Sequence, residues 1–150
     1  MLRQTEIITS VSALLKEQFN YPVYSDETLE KFKQPCFFIK LVRRTDTRTV
    51  NYNQNQLSII ITYFSSSEKN KEIEFLDITD DFLVLFRAGF KTADRYLKVS
   101  DIQSERIGEK ADILQVMLDI TYHDTTDYDK DAGYDTATEI ILNTDKNIYE

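Results

Sequence analysis

The alternation of apolar and polar positions divides the chain into helix, short strand, hairpin, helix, hairpin and tail. Ile7, Ile8, Val11, Leu14, Leu15 and Phe19 recur at helical spacing, with Lys16, Glu17 and Gln18 between the last two, which predicts a first amphipathic helix. Tyr21-Pro22 should end it, because the residue before a proline is pushed out of helical geometry, and Val23-Tyr24-Ser25 reads as a short strand. Asp26 to Gln34 is a polar connection with room for one helical turn. From Cys36 to Arg43, Phe37, Ile39 and Leu41 share one face while Phe38, Lys40 and Val42 share the other. Asn55 to Phe64 repeats this period with Leu57, Ile59 and Ile61, so two antiparallel strands are expected. Between them, Arg43 to Asn55 is polar, rich in Thr and without a Gly-based tight turn, and is expected to form a long hairpin arm or a mobile loop.

Ser65-Ser66-Ser67-Glu68 breaks the pattern before a second helix, in which Phe75, Leu76, Phe82, Leu83 and Phe86 form an apolar stripe. Ile73, Ile78, Val84 and Leu85 widen that stripe, and Gly89 supplies a left-handed stop. One deep core accounts for a helix of this kind; so does cover on a second side by a neighbouring subunit. Two more strands are expected at Tyr96 to Ile102 and Asp112 to Tyr122, with Gly108-Glu109-Lys110 in the turn between them. In the later one, Leu114, Val116, Leu118 and Ile120 alternate with Gln115, Asp119 and Thr121.

Beyond His123 comes an acidic stretch, Asp124 to Asp135, then Thr136 to Asn143, whose Ile140, Ile141 and Leu142 could add an edge strand to the chain's own sheet or to a partner's. The expected division is a domain over residues 1–123 and an acidic C-terminal extension over 124–150. A chain in this order buries two amphipathic helices on one face of an antiparallel or mixed β-sheet, an α+β layer and not a doubly wound fold. No internal repeat is present.

Composition narrows the picture. With 150 residues, 41% of them hydrophobic, the chain suits one compact domain, and three Gly and two Pro leave little for a flexible linker. No apolar run approaches the roughly 18 residues of a membrane span. The start, Met1 to Glu6, lacks a basic region followed by an apolar segment and a cleavage site, so a cytoplasmic protein without a signal peptide is expected. A net charge of −8 opposes general phosphate binding and sequence-specific contact with nucleic acid.

Candidate chemistry is sparse. Cys36 is the only cysteine, flanked by Pro35 and Phe37, and fits a small core residue in a reducing compartment better than a nucleophile. His123, the only histidine, ends a strand beside Asp124, where a surface imidazole is the ordinary outcome. Asp80-Asp81 and the pair Glu72 and Glu74 suit a solvated helix face better than general acid and base work. No Gly-rich phosphate loop exists, and no cofactor is expected. Asp127, Asp129 and Asp131 resemble the start of a calcium loop, since alternate carboxylates can converge on a hard cation. The register fails: Ala132 stands where Gly is needed, and Glu139 comes one residue late. A solvated acidic linker explains them better. Arg43, Arg44 and Arg48, with Tyr52, are the candidates for contact with a partner, because Arg is favoured at protein interfaces and an acidic neighbour would complement the charge, and a solvated loop is the other reading of the cluster.

One resemblance emerges from these residues. The opening amphipathic helix, Tyr24-Ser25, the stretch Gln34-Pro35-Cys36-Phe37-Phe38-Ile39-Lys40-Leu41 and the strand ending Ile61-Thr62-Tyr63-Phe64 carry it. The polar break from Ser65 to Lys71 and the late strand Leu118-Asp119-Ile120-Thr121-Tyr122 complete it. Over roughly residues 1 to 123 the chain resembles the small tail terminator proteins of tailed phages and phage-like prophage elements. The resemblance implies a structural protein of the virion, made in the host cytoplasm, that assembles with itself as a ring, typically a hexamer, on the head-proximal end of the tail tube. Such a ring would stop polymerisation of the tube protein and present the surface that meets the head connector. It asks for a rigid domain, head-to-tail self-contact and projecting loops, and transfers no catalytic residues. Two other readings stay open at this point: another head-to-tail joining protein, and a calcium- or ligand-responsive regulatory module. A small hydrolase would need a convergent nucleophile, base and oxyanion donors that the sequence does not offer.

Overall fold

The computed structural model describes residues 1–25, 33–67, 71–93 and 95–126. Among the described residues two helices, α1 (Gln4–Phe19) and α2 (Lys71–Phe86), accompany seven strands: β1 (Val23–Ser25), β2 (Cys36–Thr47), β3 (Tyr52–Phe64), β4 (Phe90–Lys91), β5 (Tyr96–Leu97), β6 (Val99–Ile107) and β7 (Ile113–Thr125). Five strands form a mixed sheet in the order β1-β2-β3-β7-β6, with β1 parallel to β2 and every other pair antiparallel. β4 and β5 make a small separate ladder. The α+β layer expected from the hydrophobic pattern is the observed fold.

Local chemistry sets the element ends. The Glu6 carboxylate accepts the Arg3 backbone N–H at 3.0 Å, which places negative charge at the positive end of α1. Asn20, left-handed at φ 59°, donates its N–H to the Lys16 carbonyl at 2.9 Å and closes the helix before Pro22 is reached. After α2, Gly89 adopts φ +93°, and a Cβ there would lie 2.2 Å from the Leu97 carbonyl oxygen. Only glycine permits that turn.

β3 sits at the centre of the sheet, paired along its whole length with β2 on one side and β7 on the other. Its inner residues Leu57, Ile59, Ile61 and Tyr63 are buried, and across the ladders they meet Leu41, Ile39 and Phe37 of β2 and Ile120, Leu118, Val116 and Leu114 of β7. Both helices cover this one face: Ile7, Val11 and Leu15 of α1 join Phe75, Ile78, Phe82 and Phe86 of α2 in the same core. Phe37 is its hub. Its ring lies 5.1 Å from Phe19, 5.2 Å from Tyr63 and 5.8 Å from Phe82, so α1, β3 and α2 converge on one residue of β2.

Three expectations need correction. Of the two alternatives for Arg43 to Asn55, the long hairpin arm is observed and not the mobile loop, and the strands run past their expected ends: β2 continues to Thr47 and β3 begins at Tyr52, leaving a turn of only Arg48 to Asn51. β-branched Thr side chains suit a pleated strand even where no core covers it, which lets a segment of this polar composition extend the hairpin. Leu76 and Leu83 do not belong to the buried stripe of α2; they are exposed at 59% and 51%, with Ile73 at 62% and Val84 at 77%. Each leucine stands one residue, about 100° of helix rotation, past a buried phenylalanine. The expected strand from Tyr96 to Ile102 is broken at Lys98: β5 pairs with β4, and β6 pairs with β7 as far as Ile107. β6 is an edge strand, which explains the polar run Gln103-Ser104-Glu105-Arg106 that had hidden its second half. The polar connection expected from Asp26 to Gln34 lies largely outside the described residues.

These placements separate core from surface on α2 and β2. Phe37→Ala should destabilise the fold by about 3–5 kcal/mol, whereas Val84→Ala should change it by less than about 0.5 kcal/mol in the isolated domain. Chemical denaturation of the two variants checks both values.

Candidate assembly surfaces

Past Leu41 the inward-facing residues of β2, Arg43, Thr45 and Thr47, are exposed, so cover is lost on the β2 side, while Asn53, Asn55, Tyr122 and Asp124 on β3 and β7 stay buried. The inner face here is polar. Asp124 of β7 is buried; its Oδ2 accepts the Leu2 backbone N–H at 3.1 Å and its Oδ1 accepts the Asn55 amide at 2.8 Å. The Thr45 hydroxyl donates to the Asn55 amide oxygen at 2.7 Å, and the Asn53 amide donates to the Thr126 hydroxyl. A carboxylate held by two N–H donors thus ties the start of the chain to the base of the arm. Asp124, expected to open the acidic stretch, lies in β7. Its signal was the period of two that runs Leu118, Ile120, Tyr122, Asp124.

Beside this cluster the Tyr122 hydroxyl is buried with no hydrogen bond of ordinary geometry. Burial pushes its pKa up, and the nearby Arg43 guanidinium opposes that rise. The Arg95 guanidinium lies 5.9 Å from the Tyr122 ring centre and donates to the His123 carbonyl at 2.7 Å. Met1, Leu2, Tyr52, Arg95 and His123 surround an open cleft of about 440 Å³ here.

The β2–β3 arm sorts the four candidate contact residues by strand parity. Arg44 pairs across from Gln56 on the outer face, and Arg48 folds onto that face, donating to Gln54 and pairing with Asp46 at 3.3 Å. Tyr52 is on the same side, stacked on the His123 imidazole with ring centres 5.6 Å apart. Arg43 points the other way, toward Tyr122. Arg44 and Arg48 are therefore brought together, Val42 and Tyr52 share their face of the sheet, Tyr52 toward β7, and Arg43 is separated from them.

A second surface lies at the opposite end of the strands. Phe19, Tyr21, Ile73, Glu74, Asp77 and Asp81 line an open groove of about 580 Å³ between the end of α1 and the first half of α2. Glu74 is engaged: the Tyr63 hydroxyl donates to its Oε1 and the Ser65 hydroxyl donates to its Oε2 at 2.7 Å. Burial, then the Glu74 carboxylate, push the Tyr63 pKa far up. Asp77 and Asp81 are exposed, as is Asp80 one turn along, and no ion pair to any of them occurs among the described residues.

Cys36 is buried and its thiol pKa is raised by burial, which favours the inert thiol form. His123 is exposed and stacks on Tyr52. Among the described residues no three His, Cys, Asp or Glu side chains gather as a metal site, and no helix is long and apolar enough to cross a membrane. Asp127, Asp129 and Asp131 lie outside the described residues.

A family model described as phage tail terminator protein matches residues 6–132. The chain belongs to this family. The tail terminator is thus a structural protein of a phage tail. A comparison with curated proteins returned no match. Two solved chains are similar at low identity: one whose name states no function, at 13% identity and TM-score 0.44, covering 85% of this chain and 99% of that one; the other from the virion of a native gene transfer agent particle, at 11% identity and TM-score 0.46, covering 80% and 98%. Neither likeness adds to the assignment.

Asp124→Ala leaves the Leu2 N–H and the Asn55 amide without their acceptor and should cost about 1–3 kcal/mol. Thermal melting measures that loss, and hydrogen exchange should show the Leu2 amide losing protection. A pH titration tests the two buried phenols. Both pKa values are raised above the ordinary 10.0, so each group favours the fold while it is neutral. Stability should hold below that pH and fall as pH rises above it, and Tyr63→Phe should shrink the fall, as read by denaturation at stepped alkaline pH.

Proposed function

We propose that this tail terminator caps the head-proximal end of the tail tube as a ring of identical copies. The ring stops addition of further tube subunits and offers its other side to the head connector. The observation that carries this reading is the family match across residues 6–132. The molecule's shape supports it: a rigid sheet with the β2–β3 turn at one end, held on its β3 side by β7, and an open groove at the other. A closed ring needs head-to-tail contact, in which one patch of a copy meets a different patch of the next, and those two features lie far apart on one molecule. A hexamer matches the symmetry that the resemblance implies.

Its partners on this reading are its own copies, the tail tube protein and the connector, and its place is the head-proximal end of the tail in the virion. It works by recognition and mass action, with no reaction to catalyse.

Electron microscopy of phage-like particles made with and without the gene tests the proposal. Overlong tails that fail to join heads are the expected result of deletion; tails of normal length, joined to heads, would overturn it.

A further inference from the structure

Two surfaces on the tail terminator complement each other and cannot meet within one copy. The outer face of the β2–β3 arm is basic and partly apolar: Arg44 and Arg48, with Val42 and Tyr52 exposed at 50% and 43%, and Val50 exposed at 61% in the turn. Arg48 pairs with Asp46, and no ion pair to Arg44 occurs among the described residues. The groove at the α1–α2 junction has the opposite character, with Asp77 and Asp81 along its rim, Asp80 beside them, and Phe19, Tyr21 and the exposed Ile73 in its walls.

The sheet fixes the distance between them. Phe19 and Tyr21 pack on Phe37 and Tyr63, which places the groove at the Phe37 end of β2, and the arm turns just after Thr47. Ten residues of extended strand separate those ends, roughly 33 Å at about 3.3 Å per residue. Both strands of the arm are laddered, and β3 is also laddered to β7 as far as Tyr52, so the arm cannot fold back.

We infer that the outer face of one copy's β2–β3 arm docks into the acidic groove between α1 and α2 of the next copy. This rests on the ring reading above and gives it an interface. Arg44 and Arg48 meet Asp77 and Asp81, while Val42, Val50 and Tyr52 cover the apolar walls and the exposed Ile73. Charged groups at such a contact set register and suppress wrong partners, and the apolar part supplies the desolvated centre. Because arm and groove are different patches, the contact is heterologous and repeats around a closed ring.

Charge reversal tests it. One variant carries Arg44→Glu with Arg48→Glu, a second carries Asp77→Lys with Asp81→Lys, and a third carries all four changes; circular dichroism first confirms that each folds. In cells making phage-like particles, each two-residue variant should reduce the fraction of tails of native length at least about tenfold, because like charges now face each other. The four-residue variant should restore native length. An equimolar mixture of the two purified two-residue variants should associate by analytical ultracentrifugation while each alone does not, since both of their mixed contacts are complementary. Native tail lengths with either two-residue variant would overturn the inference, as would failure of both the four-residue variant and the mixture. A groove variant that assembles normally but melts earlier would assign the groove to the chain's own remaining residues, and also overturns it. If deletion of the gene leaves tails normal, the capping role fails on its own, and the ultracentrifuge result still decides whether arm and groove meet.

Discussion

The two-residue period of β3 is the constraint on which the rest of this structure depends. As the central strand, β3 is hydrogen-bonded on both sides, so its register fixes β2 and β7 together. A slip of one residue would turn Leu57, Ile59, Ile61 and Tyr63 out of the core and bring Ser58, Ile60, Thr62 and Phe64 into it. The same parity continues beyond the helices, where no core enforces it. There it places Thr45, Asn53, Asn55 and Asp124 on the inner side and Arg44 on the outer one. Core packing at one end of the sheet therefore decides which side chains the arm presents at the other.

Helix α2 shows how a single element serves the core and leaves something over. Phe75, Ile78, Phe82 and Phe86 suffice to bury one side, yet Ile73, Leu76, Leu83 and Val84 stay in contact with water. Apolar residues on the outside of a helix do nothing for an isolated domain, and they sit among Asp77, Asp80 and Asp81. A surface of this mixed kind, apolar within an acidic frame, suits a protein that meets its own copies: the apolar part is covered on assembly, and the charge keeps free copies from random association.

Rigidity at the arm comes from polar chemistry and not from packing. Asp124 links the chain's start, β3 and β7 through the Leu2 N–H and the Asn55 amide, and Asn55 links onward to Thr45 of β2. A buried carboxylate is costly unless its hydrogen bonds are made, and these bonds are made only when all three strands and the first residues are in place. The cluster adds side-chain hydrogen bonds to the β2–β3 and β3–β7 ladders that already hold the arm. At the opposite end, Glu74 does similar work for Tyr63 and Ser65, tying α2 to the end of β3.

The sequence by itself determined the helices, the alternation of β2, β3 and β7, the α+β layer and the resemblance to tail terminators. These follow from periodicities of 3.6 and 2, which are local and survive in a linear reading. It also marked Arg44, Arg48 and Tyr52 as surface candidates, but it grouped Arg43 with them, because adjacency in a loop says nothing about faces. Only the tertiary structure chose the hairpin arm over the mobile loop and so sent Arg43 to the inner side. Exposure of Leu76 and Leu83 was equally hidden: hydrophobicity shows that a residue can be buried, and the partner surface decides whether it is. The acidic groove, the buried Asp124 and the roughly 33 Å between arm and groove join residues remote in sequence. Such relations exist only once the sheet has set which ends of the chain lie together and which lie apart.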